Sequence, residues 1–273
     1  MSFPILQKYL ARLSDATGAA SSIWLDHEGK AQGRFFNCTM TSAFQPLRRL
    51  DSGEVLAYEG LARSVSAQDQ GLSLWKLLDH AASDDESIEL DRLCRMLHAI
   101  NFFRQTGDSP ADLYLNVHDR LLSAVSSNHG HAFRRILDAL ELPLERVVLQ
   151  LPAATPQQSW LLHYVADNYR RNGFRFAVNA NSPRDALGVL DRSRPDGFKL
   201  DGRELQDKAG WTELLQRCAA ARVAVVCKRV ETPQHLTALR ELSAAAGVSL
   251  LVQGYLLDEP RAALMQAPAR WAA

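Results

Sequence analysis

Short apolar runs recur along the chain, and six of them stop on a polar or charged residue. Leu113-Tyr114-Leu115 ends at Asn116, Val147-Val148-Leu149 at Gln150, and Phe176-Ala177-Val178 at Asn179. Phe198-Lys199-Leu200 ends at Asp201, Ala224-Val225-Val226-Cys227 at Lys228, and Leu250-Leu251-Val252 at Gln253. Runs this short, separated by helical patterns, read as buried parallel strands joined by crossover helices. Their repetition predicts an α/β fold, a TIM-like (β/α)8 barrel in which the C-terminal end of each strand faces a shared bowl. The contents of that bowl are amides and lysines more than carboxylates.

Residues 1–40 stand apart from this rhythm. Ile5, Leu6, Tyr9, Leu10 and Leu13 form one helical stripe after Pro4. Ser21 to Leu25, a turn at His27-Glu28-Gly29-Lys30, and Arg34 to Thr39 then suggest a hairpin. The extension is read either as an appendage packed on the barrel or as a docking or homodimerisation element. The barrel domain is placed at residues 41–273. It opens with Ala43-Phe44-Gln45-Pro46-Leu47, a turn at Asp51-Ser52-Gly53, and Val55-Leu56-Ala57-Tyr58. Helical patterns follow at 71–82, 87–105, 118–125 and 130–140. Further ones fall at 157–172, 184–191, 210–221, 234–247 and 260–266. No low-complexity linker interrupts them, so no second large domain is expected.

Bulk composition narrows the function classes. A chain of 273 residues, 47% hydrophobic, can bury the core of one barrel, a fold that commonly takes about 250 residues. Lys+Arg and Asp+Glu both number 31, so no global field favours nucleic acid or an anionic membrane as partner. Cys38, Cys94, Cys218 and Cys227 are widely spaced, with no C-x-x-C pair, and no secretory h-region is seen. A cytoplasmic protein with reduced thiols is the expectation. No apolar stretch approaches the ~20 residues that span a bilayer.

Phe44-Gln45-Pro46 followed by Tyr58-Glu59-Gly60-Leu61-Ala62-Arg63 resembles the opening of the EAL domain, a family of bacterial cyclic di-GMP phosphodiesterases. Leu115-Asn116-Val117, Phe198-Lys199-Leu200-Asp201, Val230-Glu231-Thr232 and Gln253-Gly254-Tyr255 fall into the family's order over roughly residues 41–260. The resemblance implies an EAL-type barrel with one antiparallel strand. It also implies hydrolysis of a phosphodiester by two divalent cations. Such a centre needs several carboxylates to offset about four positive charges held ~3.5–4 Å apart.

Carried over one by one, the family's acidic positions are mostly not acids here. Glu59 is kept, but Gln150 replaces the acid closing the next such strand, and Leu151-Pro152-Ala153 holds no following glutamate. Asn179 and Ala180 stand for the paired aspartates, and Lys228 for the glutamate before Val-Glu-Thr. With Asn116 these are the former metal positions. A unit charge at 4 Å is worth roughly 4 kcal/mol at an effective dielectric of 20, so Lys228 both removes an attraction for a cation and adds a repulsion. Asn181-Ser182-Pro183-Arg184-Asp185 replaces the family's Gly-rich loop. A working metal centre is not expected, and no cofactor is assigned.

The resemblance matches Gln45 and Arg63 to dinucleotide contacts, and an arginine fork at a bowl rim suits phosphate. Arg63 could equally pair with Asp91 or Glu89. Lys199, which positions water in the family, is expected to pair with Glu59. Lys228 is a second candidate partner, giving a Lys–Glu–Lys cluster in place of metal. His118 is read as lying at the start of the next helix, and His129 and His131 as too isolated for a metal site. Three functions follow. One is an inactive regulatory domain that binds a protein partner. Another is a metal-independent cyclic di-GMP receptor using Gln45, Glu59, Arg63, Asn116, Lys199, Lys228, Arg229 and Gln253. The last is a residual phosphodiesterase.

Overall fold

The computed structural model describes residues 23–35, 38–65, 83–107, 109–118, 129–153 and 158–265. Two short strands, β1 (Ile23–Leu25) and β2 (Ala31–Phe35), form a hairpin. Two long strands follow, β3 (Cys38–Arg49) and β4 (Val55–Ser64). Helices and strands then alternate: α1 (Asp84–Thr106), β5 (Asp112–Asn116), α2 (His129–Ala139), β6 (Val147–Leu151), α3 (Ser159–Arg171) and β7 (Arg175–Asn179). The series ends with α4 (Pro183–Ser193), β8 (Gly197–Asp201), α5 (Lys208–Ala221), β9 (Ala224–Lys228), α6 (Pro233–Ala246) and β10 (Leu251–Val252).

Eight strands close a ring in the order β3-β10-β9-β8-β7-β6-β5-β4, with β4 pairing back onto β3. β3 is antiparallel to both of its neighbours, and every other neighbouring pair in the ring is parallel. This is the predicted barrel with its single antiparallel strand. The β1–β2 hairpin lies outside the ring, attached through β2 to the first residues of β3.

The hairpin differs from expectation. Its second strand begins at Ala31, and Cys38 and Thr39 already belong to β3. Phe35 stands opposite Cys38 in the antiparallel pairing of β2 with β3, and the sequence between them has no glycine or proline. The pattern at 260–266 is not helical over its described part. Arg261 instead exchanges backbone hydrogen bonds with Phe44, its N–H donating to the Phe44 carbonyl and the reverse. Pro260 has no N–H, and the backbone edge of Phe44 that β10 does not pair offers the neighbouring residue the partners a helix would otherwise supply. The helical patterns at 71–82 and 119–125 and the stripe at Pro4–Leu13 lie outside the described residues.

Two apolar layers hold the barrel. Leu47, Ala57, Tyr114, Val148, Ala177 and Val226, one from each of six strands, fill the interior. The alternate strand residues, such as Leu113, Leu149, Phe176, Phe198 and Cys227, pack outward against the helices. Because side chains alternate with period two, the residue two beyond an interior position points the same way. Ala57 leads to Glu59, Tyr114 to Asn116, Val148 to Gln150, Ala177 to Asn179 and Val226 to Lys228. Gly197 leads likewise to Lys199. β3 runs the other way, so Leu47 is matched by Gln45. These polar residues thus form the next layer of the stack, at the end where the crossover helices begin.

Helix starts face this same end and are capped in the usual chemistry. The Ser182 hydroxyl accepts from the Asp185 N–H with Pro183 opening α4, and Thr232 accepts from His235 with Pro233 opening α6. The Asn181-Ser182-Pro183-Arg184-Asp185 stretch therefore serves as a helix start. No described helix is long and apolar enough to cross a membrane.

Candidate active-site bowl

The inward residues at the strand ends open into a cavity of about 490 Å³. Gln45, Glu59, Asn116, Gln150, Asn179, Lys199, Lys228, Arg229 and Gln253 all line it, together with Ala180. Arg63 does not. It lies further along β4, where its guanidinium donates to the Ala62 carbonyl. Neither suggested acid holds it. Glu89 is exposed, and Asp91 is buried against Arg95 on α1 and accepts the His118 N–H. Arg63 is thus not among the residues lining this cavity.

Glu59 is the centre of the floor. Its Oε1 accepts from Asn116 Nδ2 at 2.9 Å and from Gln150 Nε2 at 3.4 Å. Its Oε2 accepts from Lys199 Nζ and from Gln253 Nε2, both at 2.8 Å. Lys199 reaches Glu59 from β8, which stands across the ring from β4, and also donates to Gln150 Oε1 at 3.2 Å. Gln150 in turn donates to Asn116 Oδ1 at 2.7 Å. Burial works to raise the Glu59 pKa, but the Lys199 ammonium and the amide donors outweigh it and hold the carboxyl below its usual value.

The expected Lys–Glu–Lys cluster does not form. Lys228 Nζ donates to Asn179 Oδ1 at 2.8 Å rather than to Glu59. From β9 its side chain passes β8 to reach β7, and Lys199 already occupies the near side of the carboxylate. Burial, then the neighbouring Lys199 and Arg229 charges, lower the Lys228 pKa. Asn179 is fixed from its other end, donating Nδ2 to the Leu151 carbonyl at 3.0 Å.

Arg229 sits at the rim with a left-handed backbone, φ 61°. Its Nη1 donates to Asp201 Oδ2 at 3.1 Å, and Arg203 holds the same carboxylate through Nε and Nη2. The Arg203 bond foremost, against some burial, brings the Asp201 pKa down to about 2. The backbone around Arg229 is held on both sides. Gly202 N–H donates to the Lys228 carbonyl at 2.7 Å and Val230 N–H to the Gln253 carbonyl at 3.0 Å. A Cβ on Gly254 would lie 2.1 Å from the Val230 carbonyl oxygen, so only glycine admits this approach.

Several partners of the site carried no sequence signal. Gln45 donates Nε2 to the Asp258 carbonyl at 2.8 Å, and Arg48 grips the Asp258 carboxylate with Nε and Nη2 at 2.6 and 2.8 Å. These bonds tie the segment after β10 across β3. Behind β4, His98 Nδ1 and Ser42 Oγ share a buried hydrogen bond of 2.8 Å, and Asn101 bonds Ala31 from both ends of its amide. Burial drives the His98 pKa down to about 3, so the ring is neutral.

A barrel with one antiparallel strand and a polar layer at the strand ends matches a known family. The EAL domain profile matches residues 29–260, and the chain belongs to this family of cyclic di-GMP signalling domains. No curated protein matches the chain significantly. Solved structures with the same fold include the Klebsiella pneumoniae BlrP1 manganese/cyclic di-GMP complex, with a TM-score of 0.65 and 20% identity over 81% of this chain and 56% of that one. Bacillus subtilis YkuI, with an EAL domain and in complex with substrate cyclic di-GMP and calcium, gives 0.67 and 20% over 84% of this chain and 58% of its own. The Xanthomonas citri FimX EAL domain in complex with cyclic di-GMP gives 0.66 and 18%, covering 84% of this chain and 90% of that one. The chain thus spans little more than half the length of the first two.

The metals named for two of these structures allow a test of the donor set here. A pair of divalent cations wants several hard anionic oxygens. Glu59 and Glu231 are the only carboxylates lining the described cavity. The four donors on Glu59 use both of its oxygens, and Glu231 lies towards Arg203, 3.9 Å away. Among the described residues no group of three or more His, Cys, Asp or Glu side chains is placed to hold a metal ion. These residues do not fit a two-cation centre.

Proposed function

We propose that this chain is a catalytically inactive EAL domain that acts as a regulatory module in cyclic di-GMP signalling through a protein partner. The observation that carries this reading is the state of Glu59, whose two oxygens accept hydrogen bonds from three amides and an ammonium. A cation entering there would have to break the buried Lys199 pair and would meet Lys228 as a like charge. Trp160 and Tyr164, one turn apart on α3 and 63% and 52% exposed, add support, since such side chains anchor protein interfaces. The test is turnover of cyclic di-GMP by purified protein with Mg²⁺ or Mn²⁺. No product is expected, and Lys228→Glu alone does not restore activity, because positions 150, 179 and 180 still lack acids. Product formation that Glu59→Ala abolishes would overturn the proposal in favour of a residual phosphodiesterase.

A second reading, a metal-independent receptor for cyclic di-GMP, is favoured by one observation: the bowl stays open, with Gln45, Asn116 and Gln253 at its floor and Arg229 at its rim. Calorimetric titration with cyclic di-GMP in EDTA and in Mg²⁺ separates the two readings. Binding in EDTA supports the receptor, and silence in both leaves the protein-partner reading alone.

A further inference from the structure

We propose that the end of the barrel opposite the bowl carries a docking groove for an acidic segment of a protein partner, with Arg194 and Arg222 as its carboxylate-binding groups. This inference rests on the reading that the chain acts through a protein partner, and it places that contact away from the bowl.

The C-terminal ends of α4 and α5 flank a cavity of about 620 Å³, with Asp191, Arg194, Asp196, Arg217, Arg222 and Val223 among its lining residues. Its two carboxylates are already engaged. Asp191 accepts from Arg217, and Asp196 accepts the Phe176 N–H at 2.9 Å. Glu213 brings a second acid to Arg217, 3.8 Å away. Arg194 and Arg222 are exposed and form no ion pair among the described residues. The groove thus presents two guanidinium forks without a counter-charge, each shaped for a carboxylate.

Helix capping does not account for these two arginines. Both occupy the left-handed C-cap of their helix, Arg194 at φ 44° and Arg222 at φ 58°, where α6 uses Gly247 at φ 66°. A side chain is disfavoured in that conformation relative to glycine. A cation at a helix C-terminus can compensate by binding the last carbonyls. At α4 that role belongs to Arg170, which donates to the Ser193 and Arg194 carbonyls. At α5 the cap is the Arg222 backbone N–H, bonded to the Ala219 and Cys218 carbonyls, so any residue would serve. Strained residues lining a cavity are a feature of ligand sites. The adjoining surface is apolar. Val223 also lines a second cavity of about 320 Å³, with Leu56, Leu215, Cys218 and Val248. Apart from Ser249 and Arg49, which pairs with Glu54 at 3.7 Å, that lining is apolar throughout. An apolar cavity beside two free arginines suits a segment carrying carboxylates next to a large apolar side chain. The apolar group anchors, and the carboxylates set the register. Nucleic acid suits it less, because Asp191 and Asp196 would repel a continuous phosphate backbone.

The experiment titrates the full chain, at low salt, into a fluorescently labelled peptide that combines glutamates with leucines, and into the same peptide with glutamine for glutamate. Anisotropy reads the binding. Each titration is repeated on Arg194→Gly, on Arg222→Gly and on Arg184→Gln, the last removing an exposed cation at the other end of α4. Binding of the acidic peptide is expected to fall about tenfold or more in each glycine variant and to hold in Arg184→Gln. The glycine variants are expected to melt at or above the wild-type temperature, because glycine relieves the left-handed backbone. No binding of the acidic peptide, equal binding of the glutamine peptide, or binding that both glycine variants leave unchanged overturns the groove. A lower melting temperature in the glycine variants also overturns it, since the arginines would then be structural caps. Tighter binding of a labelled DNA duplex than of the acidic peptide, lost in the same variants, would replace the protein partner by nucleic acid and so overturn it too. Turnover of cyclic di-GMP in the same preparation would refute the inactive-domain reading separately, since the peptide titration does not involve the bowl.

Discussion

Substituting Glu59 by glutamine tests the floor of the bowl without changing its shape. The carboxylate accepts at both oxygens, from Asn116 and Gln150 on one side and from Lys199 and Gln253 on the other. A glutamine can accept at only one end, so its NH2 must face either two amide donors or an amide and an ammonium. Lys199, with 2% of its side chain exposed, loses its only carboxylate among the described residues. Removing one member of a buried pair costs roughly 3–5 kcal/mol. For a domain of this size, at roughly 2 °C per kcal/mol, the melting temperature falls by about 6–10 °C. The pH dependence has a definite sign. The folded carboxyl titrates below the ordinary 4.5, so its stabilisation is complete above that value and is lost as pH falls through the lower folded pKa. The gap between wild type and Glu59→Gln therefore narrows in acid. Thermal denaturation monitored by circular dichroism at several pH values, with and without EDTA, measures all of this. Equal stability of the two proteins at neutral pH, or a wild-type melting temperature lowered by EDTA, would refute the reasoning.

The Arg48–Asp258 pair, with 7% and 12% of the two side chains exposed, ties the segment after β10 to the barrel. Arg48→Ala should cost about 3–5 kcal/mol in urea unfolding, and a loss below about 1 kcal/mol would show that the tie is not structural. Asp201 titrates at about 2, chiefly through Arg203, so it favours the fold above its ordinary 3.8 and ceases to do so as pH falls towards 2. Asp201→Asn should flatten that part of the acid-unfolding curve, and an unchanged curve would contradict the assignment.

The barrel was legible because its strands are short apolar runs, and the layer of the site was legible because each run closes on a polar residue. Asn116, Gln150, Asn179, Lys228 and Gln253 all reach the cavity for this reason, whereas on β8 it is Lys199, inside the run, and not the closing Asp201 that lines it. What a linear pattern cannot carry is which partner lies across the ring. Lys199 meets Glu59 because β8 stands opposite β4, while Lys228 on the adjacent strand meets Asn179. A motif likewise fixes the position of Arg63 along β4 but not which group its guanidinium meets, here the Ala62 carbonyl. The segment at 260–265 misled for a related reason. Its apolar spacing is helical, but its backbone partner is Phe44, more than two hundred residues away in sequence.

On the proposed reading, Glu59 and its neighbours leave no place for catalytic cations. Electron paramagnetic resonance of Mn²⁺ titrated into the purified chain, with cyclic di-GMP present, tests it most directly, because Mn²⁺ bound by protein oxygens loses the sharp spectrum of the free ion. A free-ion signal that rises in proportion to added Mn²⁺, the same for wild type and Glu59→Ala, is expected. Uptake of Mn²⁺ by wild type that Glu59→Ala abolishes would contradict it.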